Sequence, residues 1–358
     1  MSTTTPHPSM AAPQSRRWDI YCWVIDNYGD VGVCWRLARA LVARGHEVRL
    51  FINDPAPLQW MATTEERAAI ATHAWATDGP DGVARDCGDV VIEAFGCQLP
   101  HATEAAIAAS AHTVWINLEY LSAESHSAAN HGLASPVMAG PAKGCTKWFF
   151  YPGFTPETGG LLGPTSEEIT PWPVSPDSRL RVGVFSYECA ALVNLHALAS
   201  DGQLHLYAAA GRSGEALKAQ FGPSPARTDL APMSQQAFDR FLSAMDLNIV
   251  RGEDSLVRAL WAGHPLIWHV YPQADGAHFE KLKAFLDWLQ PPTPVRELHA
   301  VWNDPARADE LPARWGTATA SPCWQTWCEA VSRAHARLRA QPALIEQLEA
   351  FVTSKSSK

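Results

Sequence analysis

The chain has 358 residues, which is enough for two domains of ordinary size, and its formal net charge is −9. Hydrophobic residues make up 47% of the chain and charged residues 18%, a balance that is typical of globular proteins and excludes a largely disordered one. Because the sequence contains no basic run and no apolar stretch of membrane-spanning length, we expect no nucleic-acid partner and no membrane partner.

The N-terminal residues 1–16 are rich in Ser, Thr and Pro, which predicts a disordered tail. Arg16 and Arg17 precede an apolar run, an order that is also found in twin-arginine export signals. The run ends after a few residues, at Asp26, and is too short for such a signal. We therefore interpret it as the first strand of a cytoplasmic protein.

The tail is followed by a β-α-β pattern. Residues 20–25 and 47–52 are apolar and predict strands, and between them residues 34–44 place apolar side chains at helical spacing. In parallel sheets built from such units, ligands collect at the carboxyl ends of the strands. The segment after the first strand is therefore where a binding or catalytic residue is expected.

Two carboxylates, Asp26 and Asp30, flank the turn Asn27-Tyr28-Gly29 in that segment. A carboxylate that faces a cleft can act as a general base or orient a nucleophile. Alternatively, Asp26 caps the turn and Asp30 caps the next helix, as Asp does in many proteins. The sequence leaves both interpretations open.

The alternation of strands and helices then continues, is interrupted, and starts again. Residues 122–163 are rich in Gly, Pro, Ser and aromatics and predict a long functional loop or an acceptor-facing surface. Residues 164–176, with their four prolines, predict an interdomain linker. Further strands are predicted over residues 89–93, 113–118, 180–185, 204–209, 246–250 and 266–270. Further helices are predicted over residues 103–110, 190–199, 235–244, 278–289 and 324–352.

This order predicts an α/β protein with two Rossmann-like, doubly wound domains that face a central cleft. We expect the N-terminal domain to comprise residues 17–165 and the C-terminal domain residues 177–320. The last helix, at residues 324–352, is expected to pack back on the N-terminal domain.

The turn Arg251-Gly252-Glu253-Asp254-Ser255 joins a predicted strand to a predicted helix. A helix that is capped here by Asp254 or Ser255 directs free backbone N–H groups and the positive end of its dipole at one spot, which suits an anion such as a diphosphate. Arg251 adds a positive charge and Glu253 a hydrogen-bond acceptor. The alternative is an ordinary capped loop with a surface arginine.

The spacing of the potential metal ligands predicts no metal site. Neither C-x-x-C nor H-E-x-x-H occurs among the 8 Cys and 14 His residues. The first strand is also not followed by G-x-G-x-x-G, so the fingerprint of a nicotinamide dinucleotide site is absent from the sequence. We expect neither a metal nor another cofactor.

Five segments of the chain form a set that resembles one enzyme family. They are residues 26–39 (DNYGDVGVCWRLAR), 149–155 (FFYPGFT), 185–188 (FSYE), 251–255 (RGEDS) and 271–273 (YPQ). In content and order they are similar to the protein-arginine rhamnosyltransferases that modify elongation factor P. The resemblance extends over nearly the whole chain beyond the tail.

This resemblance implies a GT-B fold and an inverting glycosyltransferase. Such an enzyme transfers L-rhamnose from dTDP-β-L-rhamnose to an arginine side chain of translation elongation factor P, thereby activating that factor, without a metal or other cofactor. The C-terminal domain would hold most of the nucleotide diphosphate, which agrees with the anion site argued for residues 251–255.

The resemblance also implies roles for individual residues. Asp30 is the expected general base, Asp26 its partner on the acceptor side, and Glu253 a residue needed through the donor or through positioning. Donor binding is expected from Asn27, Tyr28, Gly29, Tyr187, Gln235, Arg251, Gly252, Asp254, Ser255 and Tyr271. Gln235 would lie near the thymine, but the aromatic residue that the family carries shortly before it is missing here, which leaves Pro232 or Met233 to contact the base.

Two alternatives remain open at this point. Another GT-B glycosyltransferase, with a different nucleotide sugar or acceptor, fits the composition and spacing equally well. A non-catalytic module that binds a nucleotide sugar on the same fold is the second alternative, and it would not need the pair of Asp26 and Asp30.

Overall fold

Both predicted parallel sheets are present in the computed structural model, which describes residues 15–25, 28–75, 86–164, 172–173 and 179–356. One sheet lies in the N-terminal domain and the other in the C-terminal domain, and helices pack against each of them, as in a Rossmann-like fold. The prediction of an α/β protein with two such domains is confirmed.

The N-terminal domain is built on a seven-stranded sheet. Its elements are β1 (Arg17–Cys22), α1 (Gly29–Ala43), β2 (Glu47–Ile52), α2 (Leu58–Met61), α3 (Thr64–Ala69), β3 (Ala71–Ala74), β4 (Val90–Ala94), α4 (His101–Ala109), β5 (Val114–Leu118), α5 (Ser125–Asn130), β6 (Ala134–Pro136) and β7 (Thr146–Phe150). The strand order is β3-β2-β1-β4-β5-β7-β6, and all neighbours are parallel except the edge pair β6 and β7. β4 and β5 are buried along their whole length, which is why continuous apolar runs identify them.

The C-terminal domain is built on a five-stranded parallel sheet followed by helices. Its elements are β8 (Leu180–Phe185), α6 (Ala191–Ser200), β9 (Leu204–Ala208), α7 (Arg212–Phe221), β10 (Arg227–Asp229), α8 (Gln235–Ser243), β11 (Leu247–Arg251), α9 (Asp254–Ala262), β12 (Leu266–His269), α10 (Ala277–Leu289), α11 (Thr293–Asn303), a 3-10 helix (Pro305–Glu310) and α12 (Leu311–Thr319). The strand order β10-β9-β8-β11-β12 places β8 and β11 side by side at the centre. The carboxyl ends of these two strands therefore meet at the same edge of the sheet.

The first strand was predicted at residues 20–25, but the structure places it earlier, at Arg17–Cys22. An apolar pattern predicts that the strand begins only after the charged residue Asp19, because a lone carboxylate is rarely buried. In the structure Asp19 is fully buried, and its carboxylate accepts hydrogen bonds of 2.6 Å from the Arg49 guanidinium and from the Gly88 amide. These partners compensate for the lost hydration and allow the strand to begin earlier.

The prediction of one long loop over residues 122–163 is wrong in part. The stretch contains α5, β6 and β7, and β7 extends the sheet next to β5. Most positions of β7 are only half-buried or exposed. Its apolar pattern is therefore weak, as is common near the edge of a sheet, and does not identify it as a strand.

The predicted last helix over residues 324–352 is in fact two helices, α13 (Cys323–Arg339) and α14 (Leu344–Ser356). Pro342 lies between them and cannot continue the hydrogen-bonded ladder of a helix. The apolar residues of α13 belong to the core of the C-terminal domain, whereas those of α14 belong to the core of the N-terminal domain. Only the second helix thus packs back on the N-terminal domain.

Most of the predicted tail and linker lies outside the described residues. Of the tail, Ser15 and Arg16 are described, and they form hydrogen bonds to Gly45 and His46. Of the linker, the Trp172 ring packs edge-on against the core, with its centroid 5.8 Å from that of Phe241. Within the described ranges, no helix combines the length and the apolar character needed to cross a membrane.

Candidate active site

The first turn of α1 fixes Asp30 at the edge of the cleft between the domains. Asp30 is only 3% exposed, and its Oδ2 accepts a hydrogen bond of 2.8 Å from the Ile25 amide. Tyr28 occupies the N-cap position, so Asp30 lies inside the helix and its alternative role as the cap of α1 is wrong. The positive end of the helix dipole stabilises a carboxylate at this place. Asp26 and Asn27 lie outside the described residues.

The turn between β11 and α9 forms the opposite side of the cleft. Gly252 has a φ of 62°, a left-handed conformation that residues with a side chain adopt at a cost. This sharp turn lets α9 begin at Asp254, so that Glu253 occupies the N-cap position and Ser255 lies in the first turn. The predicted capping by Asp254 or Ser255 is therefore wrong, and the Ser255 hydroxyl instead donates to the carbonyl of Arg251.

Glu253 is held by residues of both domains. Its Oε1 lies 2.5 Å from the Lys281 Nζ on α10, and its Oε2 accepts a 2.7 Å hydrogen bond from the Leu121 amide of the N-terminal domain. Burial raises the pKa of the Glu253 carboxyl above its usual value and the charge of Asp30 adds to this, while Lys281 and the Leu121 amide act against it. Sequence reasoning missed Lys281, because a lysine on a predicted helix is most simply read as a solvated side chain.

Arg251 is buried among aromatic rings at the end of β11. It is 4% exposed, and its Cζ lies 4.8 Å from the ring centroid of Tyr187 and 4.9 Å from that of Phe185. Its Nη1 has no hydrogen-bond partner in the part of the chain that the structure describes. A buried guanidinium N–H without an acceptor is costly. The site therefore suits an anion, which would also face the N-terminus of α9.

Tyr187 and Tyr271 lie beside Arg251 and differ in their exposure. Tyr187 is buried and packs edge-on against Tyr271 and His269, with ring centroids 5.6 and 5.1 Å away. Burial, together with the charges of Arg251 and His278, lowers the pKa of His269 to about 3, so its ring is neutral. Tyr271 is 48% exposed at the mouth of the cleft and Tyr187 supports it from behind.

Gln235 begins α8 and contacts α1 across the domain boundary. Its Nε2 donates a 2.9 Å hydrogen bond to the carbonyl of Gly32, and because a carbonyl can only accept, the orientation of the amide is fixed. Its Oε1 is buried and finds no partner among the described residues, which makes it a ready acceptor for an N–H group of a ligand. The same cavity is lined by Phe185 and Phe238, which sequence reasoning missed because such apolar positions are typical of a core.

Two cavities meet at the first turn of α1. The smaller encloses about 640 Å³ and the larger about 1230 Å³, and Gly29 lines both of them. The smaller cavity contains the predicted residues Tyr28, Gln235, Arg251, Asp254 and Ser255, together with Pro232 and Met233. The larger contains the predicted residues Asp30, Gly252, Glu253 and Tyr271. The tertiary structure thus brings the described candidates together at one cleft, although Tyr187 lines neither cavity and contacts Arg251 and Tyr271 instead.

The larger cavity is rich in carboxylates. Asp30, Glu119, Glu124 and Glu253 line it, and Lys281 is the single lysine or arginine among the described lining residues. Such a surplus of negative charge suits a cation with several N–H donors, such as a guanidinium. Over the described stretches of the chain, no three His, Cys, Asp or Glu side chains are arranged to hold a metal ion.

Comparison with known proteins relates the whole chain to one family. A family model described as Elongation-Factor P (EF-P) rhamnosyltransferase EarP matches residues 18–353. A protein-arginine rhamnosyltransferase of Pseudomonas putida is 41% identical over 315 residues, which cover 75% of this chain and 80% of the relative.

Solved structures give the same relationship. The structure that explains EarP-mediated arginine glycosylation of translation elongation factor EF-P is 29% identical, with a TM-score of 0.60, and the match covers 95% of this chain and 99% of that one. The calicheamicin glycosyltransferase CalG4 is 16% identical, with a TM-score of 0.54 and coverage of 95% and 99%, and shows the fold alone. The neighbours have the GT-B fold, so the prediction of that fold is confirmed.

Proposed function

Since the chain belongs to the EarP family of EF-P rhamnosyltransferases, we propose that it transfers L-rhamnose from dTDP-β-L-rhamnose to an arginine side chain of translation elongation factor P, thereby activating that factor. The reaction would invert the anomeric carbon and need neither a metal nor another cofactor. The observation that carries the proposal is the meeting of an anion-binding cavity at Arg251 with a carboxylate-rich cavity at Asp30 and Glu253. The predicted cytoplasmic location stays a prediction and agrees with an acceptor that serves translation.

In this proposal the smaller cavity binds the donor. The diphosphate would face Arg251 and the N-terminus of α9, which supply a positive charge and free backbone N–H groups. The Oε1 of Gln235 would accept a hydrogen bond from the N–H of the thymine, while Phe185 and Phe238 offer apolar faces where the family's usual aromatic residue is missing. The donor roles of Asn27, Tyr28, Gly29, Tyr187, Gly252, Asp254, Ser255 and Tyr271 stay predictions.

The larger cavity would bind the acceptor arginine. A guanidinium is a poor nucleophile because it is protonated and its lone pairs are delocalised. Asp30 and Glu253 can hold its N–H groups by charge-assisted hydrogen bonds and so fix the attack geometry. Asp26 is predicted to assist Asp30 in this step, and it lies outside the described residues.

The chemical step then requires one bond to form and one to break. As a guanidinium nitrogen bonds to the anomeric carbon, the bond between that carbon and the diphosphate oxygen breaks, and Asp30 accepts the proton that the nitrogen loses. The departing dTDP carries additional negative charge. Arg251 and the dipole of α9 would stabilise that charge more in the transition state than in the ground state.

Intact mass spectrometry of unmodified elongation factor P tests this proposal directly. The factor is incubated with the protein and dTDP-β-L-rhamnose in the presence of a chelator, with dTDP binding titrated in parallel. We expect a single increment of about 146 Da, the mass of one deoxyhexose residue, localised to an arginine. The absence of the increment despite binding of dTDP would leave the GT-B fold intact and point to a different sugar or acceptor.

A further inference from the structure

Arg36 joins the two domains in the wall of the smaller cavity. It lies on α1 and is 5% exposed, and its Nη1 and Nη2 donate hydrogen bonds of 2.9 and 2.8 Å to Asp239 of α8. Its Nε lies 2.8 Å from Asp254, the first residue of α9. One guanidinium thus pairs with two carboxylates of the other domain and offsets one of their two negative charges, using the planar fork of donors that distinguishes arginine from lysine.

The bridge connects the two helices that carry the carboxylates of the proposed reaction. Asp30 lies in the first turn of α1, and Glu253 directly precedes Asp254 at the start of α9. The helices approach closely at Gly32, where an added Cβ would lie 3.3 Å from Asp254 Oδ2. A change in the length or direction of the Arg36 bridge would therefore shift Asp30 relative to Glu253.

Arg36 also sets the charge beside the proposed diphosphate site. Asp254 lines the same cavity as Arg251, and a carboxylate without a cationic partner would repel a diphosphate there. Burial favours the neutral form of Arg36, but the charges of Asp254 and Asp239 outweigh this and raise its pKa above the usual value. The bridge therefore stays ionised although it is buried.

We propose that Arg36 is a positioning residue of the transfer reaction, which sets the distance between Asp30 and Glu253 and offsets part of the negative charge of Asp254 beside the donor. The inference rests on the proposed function, because it requires donor and acceptor to meet where α1 meets α9.

The substitution Arg36→Lys tests the bridge, since it keeps the charge but loses the fork that holds two carboxylates. With kcat referred to the folded fraction, we expect it to fall about 100-fold, the effect of displacing reacting groups by about 1 Å. Affinity for dTDP, measured by calorimetry, should fall about tenfold because Asp254 is less fully neutralised. Arg44→Lys is the matched control: Arg44 is the C-cap residue of the same helix, and its ion pair of 2.6 Å is with Glu349 on α14, which packs on the N-terminal domain. Its kcat and its dTDP affinity should stay within about twofold of wild type.

A second variant separates the positioning role from the charge beside the donor. Asp239→Asn weakens the bridge at its other end, and Asp239 is not among the described residues that line the smaller cavity. We expect kcat to fall at least tenfold while dTDP affinity does not weaken, because the Arg36 cation stays beside Asp254. If Arg36→Lys does not fold, Asp239→Asn alone carries the test.

Four results would count against the inference. If the wild-type protein transfers rhamnose and Arg36→Lys has the same kcat, Arg36 is not a positioning residue. Wild-type kcat in Asp239→Asn would likewise show that the bridge does not position the carboxylates, and weak dTDP binding by that variant would overturn the charge argument. A wild-type enzyme that binds dTDP but modifies no elongation factor P would instead remove the proposed function on which the inference rests.

Discussion

Asp30 and Glu253 face the same cavity but differ in what surrounds them. The Asp30 carboxylate lies in the first turn of α1 and accepts the Ile25 amide, whereas Glu253 forms an ion pair with Lys281. The Lys281 ammonium and the Leu121 amide contact different oxygens of Glu253 and so hold its carboxylate in one orientation, as the positioning of a substrate requires. In our proposal Glu253 therefore orients the guanidinium, and Asp30, the general base that the family resemblance implies, takes the proton.

The first prediction concerns the proton acceptor. Asp30→Asn keeps the shape of the side chain and removes its basicity, so we expect kcat to fall about 100-fold to 10,000-fold, the usual contribution of a general base. Affinity for dTDP should stay near the wild-type value, because the proposed donor cavity lies on the other side of Gly29. Single-turnover transfer and calorimetry measure the two quantities. Transfer at the wild-type rate would show that Asp30 is not the base.

The second prediction concerns the pH dependence of kcat/KM. Burial raises the pKa of Glu253 and so does the charge of Asp30, while Lys281 lowers it. Lys281→Met removes the lowering effect, so the pKa of Glu253 rises further. Glu253 acts in its ionised form, which exists above this pKa. When the pH is lowered, the variant should therefore lose activity at a higher pH than the wild type does.

A matched control is available on the same helix. The Lys283 ammonium forms an ion pair of 3.0 Å with Asp287 at the surface, and its side chain is 68% exposed. Lys283→Met should therefore leave the acid limb of the pH profile unchanged. If the limb also stays in place in Lys281→Met, the ion pair does not control the ionisation of Glu253.

At the scale of single elements, α9 shows how one turn serves both stability and the site. Gly252 at its N-terminus and Gly263 at its C-terminus both adopt left-handed conformations, with φ of 62° and 76°. The first aims Glu253 and the helix N-terminus into the cleft, while the second ends the helix in open space. The two glycines share the left-handed conformation but have different relations to the site.

The third prediction uses this pair. Gly252→Ala and Gly263→Ala should each lower the free energy of unfolding by about 1–2 kcal/mol, the cost of a left-handed residue with a side chain. Urea unfolding measures this term. Only Gly252→Ala should also reduce dTDP affinity and transfer, since its strain relaxes by turning the N-terminus of α9. If both variants transferred rhamnose equally well, the conformation of the turn at Gly252 would not matter for the site.

At the scale of the whole molecule, the chain crosses between its domains more than once. After the C-terminal domain and α13, α14 returns to the N-terminal domain and packs against α1, the helix that carries Asp30. Arg36, Gln235 and Glu253 join the same two domains at the cleft. The cleft is thus held from both sides.

The fourth prediction concerns α14. Leu348 is fully buried in the core of the N-terminal domain, so Leu348→Ala should lower the free energy of unfolding by about 2–5 kcal/mol, through lost burial and a cavity. The exposed neighbour Ser354 provides the control, and Ser354→Ala should change stability by less than about 0.5 kcal/mol. Urea unfolding distinguishes the two. If Leu348→Ala were as stable as Ser354→Ala, α14 would not be part of the cooperative core.

Much of the fold could be predicted because its signals are local. The strands at residues 47–52 and 180–185 and the helix at residues 235–244 lie where the apolar patterns place them, since parallel strands buried on both faces leave continuous apolar runs. The sequence does not predict the strands β3, β6, β7 and β10, the 3-10 helix, or the helices α2, α3, α5, α7, α11 and α12. They are short, lie near sheet edges, or present mixed faces, so their sequences carry weak periodicity.

The same division applies to the site and to the protein as a whole. The fold class and the turn at Gly252 follow from the sequence, because strand burial and turn chemistry are properties of neighbouring residues. The family follows from the five sequence segments that resemble it. The sequence does not show which group pairs with each charged side chain. Asp254 is paired with a residue 218 positions away, and Glu253 accepts an amide 132 positions away. Such partners are chosen when the domains pack, since buried charges and amides must be satisfied by whatever group the fold brings within hydrogen-bond distance.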